Sequence, residues 1–244
     1  MELKVMTYNI HHGKGMDKQI DLTRIAEVIQ RSDVDIVGLN EVDKHFSKRS
    51  HYQDQVYELA KKLNMYHGYG PAISLKSKNS YEQRQYGNAL LSRYPIIQTK
   101  THYFNFIPWL TESRSLLDAA IQINKKFVQI DVTHLSLNPI LHQMQTNFIM
   151  NQCKKYTRPL IIMGDCNMKP GSRGWNKINS HFQDVWNAAG NGEGYTYSSN
   201  RPRYRLDYIF TSPDLYIINT ELVTVKPMAS DHFPLKTTLR FETN

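Results

Sequence analysis

The chain has 244 residues, 40% hydrophobic and 21% charged, a balance typical of globular proteins and not of disordered ones. Its formal net charge of +8 favours a polyanionic partner or a phosphorylated substrate. The two cysteines, Cys153 and Cys166, form no CxxC motif, which argues against a disulfide-built domain and against a cysteine-rich zinc site.

The N-terminal residues bear on the subcellular location of the protein. MELKVMTYNI enters a strand-like pattern directly, with no apolar leader and no small-residue cleavage site. No apolar run approaches the length that crosses a bilayer. We therefore expect a cytoplasmic protein without a transmembrane segment. We also expect a monomer.

The first part of the chain predicts the order strand, helix, strand. Residues 3–10 (LKVMTYNI) have the pattern of a buried strand, and residues 21–32 (DLTRIAEVIQRS) that of an amphipathic helix. Residues 34–42 (VDIVGLNEV) predict a second strand with Glu41 at its end. Residues 87–106 and 113–123 then predict consecutive strands of an antiparallel meander.

The same order recurs further along the chain. Residues 125–135 predict a strand ending at His134, residues 139–153 a helix, and residues 158–167 a strand whose end carries Asp165 and Asn167. A loop-rich region follows, and residues 206–211, 215–225 and 234–241 predict three closing strands. With no linker-like tract, we expect residues 1–244 to form one α/β domain of two packed mixed sheets flanked by helices.

Polar side chains gather where these strands stop. Any one of them alone is typical of a helix cap or a turn, and SDHFPL (residues 230–235) alone is typical of a surface turn. As a set, their carboxylates and amides suit Mg²⁺ or Mn²⁺, and their imidazoles suit proton transfer. The set is Asn9, Glu41, His134, Asp165, Asn167, Asp207, Asp231 and His232.

Other catalytic motifs are absent from the sequence. It contains no HExxH, no GxSxG and no Walker loop, and the glycine-rich residues 190–194 follow no strand. We interpret the latter as a flexible loop.

Six motifs in one order resemble those of the endonuclease/exonuclease/phosphatase superfamily, which includes deoxyribonuclease I, repair nucleases, sphingomyelinases, inositol-polyphosphate 5-phosphatases and deadenylases. The resemblance runs from residue 6 to about residue 236 and implies a four-layer α/β sandwich. The motifs are TYNI, GLNEV, THL, GDCN, LDYIF and SDHFPL.

The resemblance implies a divalent metal, Mg²⁺ or Mn²⁺, and an activated water. Glu41 would be the main metal carboxylate, with Asn9 and Asp231 near the same ion or its water. Asp165 would orient or deprotonate the attacking water, and Asn167 would hold a phosphate oxygen or that water.

The resemblance also implies roles for two histidines. His232, steered by Asp207, would contact the scissile phosphate and assist proton transfer. His134 would stabilise the phosphorane oxygens or protonate the leaving group, as in the branches of the superfamily that carry a histidine there.

The chain departs from the repair nucleases at His11, where those enzymes usually have an acid. Three roles stay possible for His11 and the adjacent His12: they could support the metal ligands, contact the substrate, or be loop residues without a role in the site. Glu82, in the SYEQR stretch, matches a glutamate that supports the histidine in deoxyribonuclease I, but a solvated loop glutamate is the favoured interpretation.

Candidate substrate contacts are Asn88, Arg114, Arg205 and Trp175. Arginines interleaved with aromatic residues at 195–205 are suited to stacking on a base or sugar. An equally good interpretation is that the aromatic side chains anchor these loops to the rest of the domain. The apolar residues 104–110 are expected to be buried; docking on a lipid surface or covering a substrate are the alternatives.

These features favour a metal-dependent phosphodiesterase acting on nucleic acid, DNA or RNA, or on a nucleotide-like substrate. The alternative is a phosphatase or phosphodiesterase of small or lipid substrates such as phosphoinositides or sphingomyelin, which would use the same residues. A non-catalytic binding module on this fold is the third hypothesis.

Overall fold

The structure, a computed structural model, describes residues 1–76, 83–106 and 113–240. The strands are β1 (Glu2–Asn9), β2 (Ile36–Lys44), β3 (Tyr66–Leu75), β4 (Arg84–Ser92), β5 (Ile96–Tyr103), β6 (Ser115–Ile123), β7 (Lys126–His134), β8 (Leu160–Asp165), β9 (Gln183–Asp184), β10 (Asp207–Thr211), β11 (Tyr216–Leu222) and β12 (Leu235–Arg240). The helices are α1 (Leu22–Arg31), α2 (Gln55–Leu63), α3 (Pro139–Cys153), α4 (Arg173–Asn179) and α5 (Val185–Ala189), with 3₁₀ turns at His11–Gly13 and Lys48–Ser50.

The strands form two six-stranded mixed sheets. The first sheet has the order β11-β12-β1-β2-β4-β3, and the second has the order β5-β6-β7-β8-β10-β9. Each sheet contains one parallel pair, β1 with β2 in the first and β7 with β8 in the second. The two predicted strand–helix–strand units are these parallel pairs with α1 and α3 as their crossovers.

Three apolar layers hold the sandwich together. The central layer lies between the sheets and joins residues such as Val5 and Ile36 of the first sheet to Val132 and Met163 of the second. A second layer packs α1 and α2 on the outer face of the first sheet, and a third packs α3 and α4 on the outer face of the second. This confirms the predicted four-layer α/β sandwich.

Two glycines mark places where backbone and side chains pack too closely for a Cβ atom. A Cβ atom added to Gly38 in β2 would lie 2.5 Å from the Met163 sulfur in β8, so only a glycine fits there. Gly164, next to Asp165, has φ +143°, and an added Cβ would lie 1.8 Å from the Thr133 carbonyl oxygen. Gly38 thus permits close packing of the two sheets, and Gly164 permits close pairing of β8 with β7 next to Asp165.

Local sequence signals fix both crossover helices. Asp21 caps α1 by accepting a 2.8 Å hydrogen bond from the Thr23 amide. Asn138 caps α3 by accepting from the Ile140 amide at 3.0 Å, and Pro139 occupies the first helical position. The predicted helices at residues 21–32 and 139–153 are therefore confirmed to within a residue or two.

The apolar stretch at residues 104–110 is described only in part. Phe104 is buried and its ring stacks on Phe106 at 5.7 Å between centroids, while Phe148 of α3 packs against Phe104 edge-on at 5.6 Å. Residues 107–110 and Glu82 lie outside the described residues. In the described part of the chain, none of the helices has the length and apolar character needed to cross a membrane.

Candidate active site

The polar strand ends of the two sheets meet at one edge of the sandwich, with Asp165 at the centre. The Asn9 side-chain amide donates to Asp165 Oδ2 at 3.1 Å. His134 Nε2 lies 3.5 Å and His232 Nε2 3.8 Å from the same oxygen. Strands β1, β7 and β8 and the loop before β12 thus bring together residues that are far apart in the sequence.

Glu41 joins this cluster through Asn9. The Asn9 amide nitrogen also donates to Glu41 Oε1 at 3.2 Å. Glu41 has φ 58° and lies where the register between β2 and β4 shifts. Strand β2 continues to Lys44, so Glu41 lies within the strand and not at its predicted end. The irregularity turns its carboxylate toward the end of β1.

Asp207 and His232 form a buried acid–imidazole pair. His232 Nδ1 lies 2.7 Å from Asp207 Oδ2, and Asp207 is fully buried. Burial lowers the pKa of His232, but the charge of Asp207, its hydrogen bond and the nearby Asp165 outweigh burial and raise the pKa to about 10. The imidazole is therefore protonated at neutral pH.

The pKa values of Asp165 and His134 are shifted in opposite directions. Burial, assisted by repulsion from Asp207, raises the pKa of Asp165 to about 7, although His232 and Asn9 oppose that shift. Burial, with the charges of Arg114 and His232, holds the pKa of His134 well below its usual value, so this imidazole is neutral. One edge of the sandwich thus holds a carboxylate poised near neutral pH, a cationic imidazole and a neutral imidazole.

The SDH segment is fixed to the end of β1. The Ser230 hydroxyl donates to the Asn9 carbonyl oxygen at 2.8 Å, and Asp231 Oδ2 lies 3.3 Å from His11 Nδ1. The Tyr197 ring lies over the His232 ring, 4.8 Å between centroids. The segment is therefore a positioned part of the site and not a free surface turn.

Asn167 adjoins the cluster through the loop after β8. Its backbone amide donates to Asp165 Oδ1 at 3.0 Å, and its side-chain nitrogen donates to the Leu135 carbonyl oxygen at 2.9 Å. Its φ of 47° is a conformation that asparagine tolerates better than most residues. Asn167 therefore orients the Asp165 carboxylate.

Of the four candidate substrate contacts, the structure brings Arg114 to the cluster. Arg114 directly precedes β6, and its charge lowers the pKa of His134. A guanidinium near the neutral imidazole is suited to a phosphoryl oxygen.

Asn88, Arg205 and Trp175 instead bind other parts of the protein. Asn88 is buried, donates to the Ser115 carbonyl oxygen at 2.9 Å and accepts from the Asn40 amide at 2.8 Å. Arg205, 3% exposed, forms an ion pair with Asp184 at 3.0 Å, and Trp175 Nε1 donates to the same carboxylate at 2.7 Å. A substrate contact by these three residues stays a prediction.

Asn40 is a residue of the site that sequence reasoning missed. Its Oδ1 accepts the Asp165 amide at 2.8 Å, and its Nδ2 donates to the Thr133 carbonyl oxygen at 2.9 Å. The side chain therefore links β2 in one sheet to β7 and β8 in the other. The sequence feature that could have identified it is an asparagine that follows the apolar residues IVGL and directly precedes Glu41.

An acid, two differently charged imidazoles and facing strand ends in a two-sheet sandwich give a site whose side chains can transfer protons and carry charge. The chain belongs to the Endonuclease/Exonuclease/phosphatase family, whose model matches residues 6–232. Family membership supports a hydrolase.

Individual proteins are similar to this chain over nearly its whole length. The uncharacterized protein YbhP of Escherichia coli K12 is 25% identical over 256 aligned positions, covering 95% of this chain and 94% of that one. An endonuclease/exonuclease/phosphatase from Beutenbergia cavernae has the same fold, with a TM-score of 0.83, 23% identity, and coverage of 98% of this chain and 72% of that one. The mannosyl-6-phosphatase Bt3783 of Bacteroides thetaiotaomicron superposes with a TM-score of 0.80 and 18% identity, covering 98% of this chain and all of that one.

Proposed function

We propose that this chain is a divalent-metal-dependent phosphoester hydrolase that cleaves phosphodiesters in nucleic acid or a nucleotide-like substrate by in-line attack of water. The observation that carries the proposal is the convergence of His134, Asp165 and His232 on one another. Phosphoester hydrolysis needs a proton acceptor for water, positive charge on the phosphoryl oxygens and assistance to the leaving oxygen. These three side chains supply those functions.

Glu41, with Asn9 hydrogen-bonded to it and Asp231 beside the neighbouring His11, would hold the metal ion. Carboxylate and amide oxygens are the donors that Mg²⁺ and Mn²⁺ take, and both carboxylates are partly exposed, as an ion in contact with substrate requires. When bound, such an ion neutralises charge on the phosphoryl group and makes water more acidic.

The three central side chains would divide the proton transfers. Asp165, with a pKa of about 7, accepts a proton from water near neutral pH. His232 carries positive charge toward the phosphoryl oxygens, because Asp207 stabilises its protonated form. His134 is neutral, so a ring N–H can donate a hydrogen bond to the phosphoryl group or the leaving oxygen.

An exposed basic loop next to His232 supports a nucleic-acid substrate. Tyr197 pairs with His232 on one side and with Tyr204 on the other. Arg201, Arg203 and Tyr204 are exposed on this loop, which offers two positive charges and an aromatic face beside the catalytic imidazole. Such a combination suits a phosphate backbone with stacked bases.

A cavity beside Asn167 favours the second candidate, a phosphatase or phosphodiesterase of small substrates such as phosphoinositides or sphingomyelin. The cavity has a volume of about 420 Å³, in the range of small-molecule sites. Leu137 and Met168 provide apolar lining, and Lys169 and Arg173 provide positive charge. A compact substrate with a second anionic group would fit there.

Hydrolysis with Mg²⁺, Mn²⁺ or EDTA tests the proposal. The substrates are bis(p-nitrophenyl) phosphate, p-nitrophenyl phosphate, single- and double-stranded DNA, RNA and an inositol phosphate. We expect metal-dependent cleavage of the diester and of a nucleic acid, and at least about a 100-fold loss in Glu41→Gln and in His232→Gln. Glu58→Gln, at an exposed position on α2, is the matched control and should keep full activity. Unchanged hydrolysis in both site variants would reject the mechanism.

The two substrate classes are separated by two double variants. Arg201→Gln with Arg203→Gln should raise KM for single-stranded DNA and reduce its salt dependence, without changing hydrolysis of the small diester. Arg173→Gln with Lys177→Gln, two cationic residues that line the cavity, should leave DNA cleavage intact. If only the second double variant loses activity, and only toward the inositol phosphate, the small-substrate function is the correct one.

A further inference from the structure

We infer that His11 and His12 complete a nitrogen-containing metal site with Glu41, and that this site binds a transition-metal ion such as Mn²⁺ in preference to Mg²⁺. The inference rests on the proposed function in one respect, the placement of a divalent ion at Glu41. It adds two imidazole ligands to the carboxylate of Glu41, and it makes Asp231 a support for His11 instead of a ligand.

The three side chains lie close enough to share one ion. One ring nitrogen of each histidine and one carboxylate oxygen of Glu41 all lie within 4.8 Å of one another. Ligand atoms bound to one ion at about 2.0–2.2 Å can be at most about 4.4 Å apart. Small side-chain rotations therefore bring all three atoms into coordination distance.

His12 has a buried nitrogen that lacks a partner. The residue is 8% exposed, and its Nδ1 has no hydrogen-bond partner within residues 1–76, 83–106 and 113–240. Buried polar atoms in native proteins are nearly always paired, so this nitrogen needs an explanation. The backbone of His12 is fixed, because its carbonyl oxygen accepts from Gln55 Nε2 at 2.8 Å. A bound ion would supply the missing partner.

His11 is arranged as a supported ligand. Its Nδ1 lies 3.3 Å from Asp231 Oδ2, and its ring meets the His12 ring edge-on at 4.7 Å between centroids. In metal sites a carboxylate commonly binds the ring nitrogen that does not face the ion, fixing the tautomer and making the ligand more basic. Asp231 would act in this way.

The backbone conformation of this turn is of the kind found at functional sites. His11 and His12 both have φ 45°, in the left-handed region, and Gly13 follows with φ 79°. Non-glycine residues in that region are uncommon and cluster at functional sites. The turn places two imidazoles in succession beside Glu41, where a carboxylate alone would suffice for Mg²⁺.

Ligand chemistry gives the expected selectivity. Mg²⁺ takes oxygen donors and loses its water reluctantly, whereas Fe²⁺, Ni²⁺ and Zn²⁺ bind imidazole nitrogen well, and Mn²⁺, the weakest binder of the first-row series, serves as the spectroscopic probe of such a site. Two imidazoles with one carboxylate therefore favour a transition-metal ion when both kinds of ion are present.

The test is Mn²⁺ binding to the full chain, followed by electron paramagnetic resonance with Mg²⁺ as competitor. We expect ¹⁴N couplings from imidazole on the bound Mn²⁺, and affinity at least about tenfold above that for Mg²⁺. His11→Asn and His12→Asn should each weaken Mn²⁺ binding by about 10- to 100-fold while changing Mg²⁺ binding less than about twofold. Asparagine is chosen because it tolerates positive φ. His181→Asn, at an exposed histidine, is the control.

The outcomes separate this inference from the proposed function. Bound Mn²⁺ without ¹⁴N coupling in the wild-type protein would overturn the inference, whether or not a variant folds. Mg²⁺-dependent hydrolysis that Glu41→Gln abolishes would then leave the proposed function standing. ¹⁴N coupling in a protein that hydrolyses none of the phosphoesters would support the metal site and reject the hydrolase.

Discussion

Asp207 determines the charge of the imidazole at the centre of the site. Its carboxylate is fully buried and contacts His232 Nδ1 at 2.7 Å, and Asp207 Oδ1 has no hydrogen-bond partner among the described residues. A carboxylate so placed is stabilised chiefly by the positive charge of the protonated ring. The pair therefore acts as one unit.

We predict that Asp207→Asn lowers the pKa of His232 from about 10 toward or below the usual histidine value. The raised pKa depends on the charge of Asp207, while burial, which remains in the variant, lowers it. His232 would then lose its proton on passing through neutral pH. Titration of the imidazole resonances by NMR measures the shift, and a pKa that stays near 10 would contradict it. At neutral pH, hydrolysis should fall by about 100-fold or more.

At the residue scale, sequence and resemblance predicted the residues that meet at the site but not all of their partners. Asn9, His134, Asp165 and His232 each end a strand or adjoin one, and the strand order brings those ends together. Arg205 and Trp175 could not be assigned in this way, because both bind Asp184. A buried ion pair is set by packing and leaves no periodic signal in the sequence.

Strand β3 is one of several elements that the sequence did not predict; the others are α2, α4, β9 and α5. Its sequence, YHGYGPAISL, contains two glycines and a proline and has the composition of a loop. In the structure it is the edge strand of the first sheet, and its register with β4 shifts between Pro71 and Ile73. An edge strand accepts proline because one side needs no ladder hydrogen bond. Tertiary pairing with β4 therefore overrides local propensity.

The pair β6–β7 carries two acids side by side beneath α3. Asp131 is opposite Asp118, and burial together with the charge of Asp118 raises the pKa of Asp131 to about 8. Asp118 accepts hydrogen bonds from Gln129 and from Tyr156, which follows α3. Asp131 Oδ2 has no hydrogen-bond partner in the described part of the chain.

We predict that Asp131→Asn flattens the pH dependence of stability. The native state holds the Asp131 proton up to about pH 8, whereas the unfolded chain loses it near pH 4. Between these values the native state binds more protons, so the free energy of unfolding falls as pH rises, by up to about 1.4 kcal/mol per pH unit. Urea denaturation from pH 5 to 9 should show the variant gaining relative stability toward pH 8. Asp214→Asn, at an exposed position, should keep the wild-type slope, and equal slopes in all three proteins would contradict the prediction.

At the scale of the whole molecule, Asn40 couples the docking of the two sheets to the geometry of the site. It contacts Asn88 in its own sheet and Thr133 and Asp165 in the other. All of these groups are buried, so water cannot replace a lost partner without opening the inter-sheet core.

We predict that Asn40→Ala lowers the free energy of unfolding by about 2–4 kcal/mol, because it leaves several buried groups unpaired. It should also reduce hydrolysis, since the Asp165 amide loses its partner. Chemical denaturation and steady-state kinetics on the same preparation measure both effects. Asn191→Ala, at an exposed loop position, should change stability by less than about 0.5 kcal/mol. If Asn40→Ala changed stability and hydrolysis no more than this control, the hydrogen bonds of Asn40 between the sheets would not contribute to either.

The chain order of the sheets determines when a newly made molecule becomes complete. All strands of the second sheet come from residues 96–211, whereas β1 pairs with β12, which follows them. During synthesis the second sheet can therefore pair fully while β1 still lacks a neighbour on one side. Asp231 and His232 immediately precede β12, and Ser230 binds the end of β1. The segment that closes the first sheet thus also delivers the cationic imidazole, so an incompletely folded chain has no assembled site.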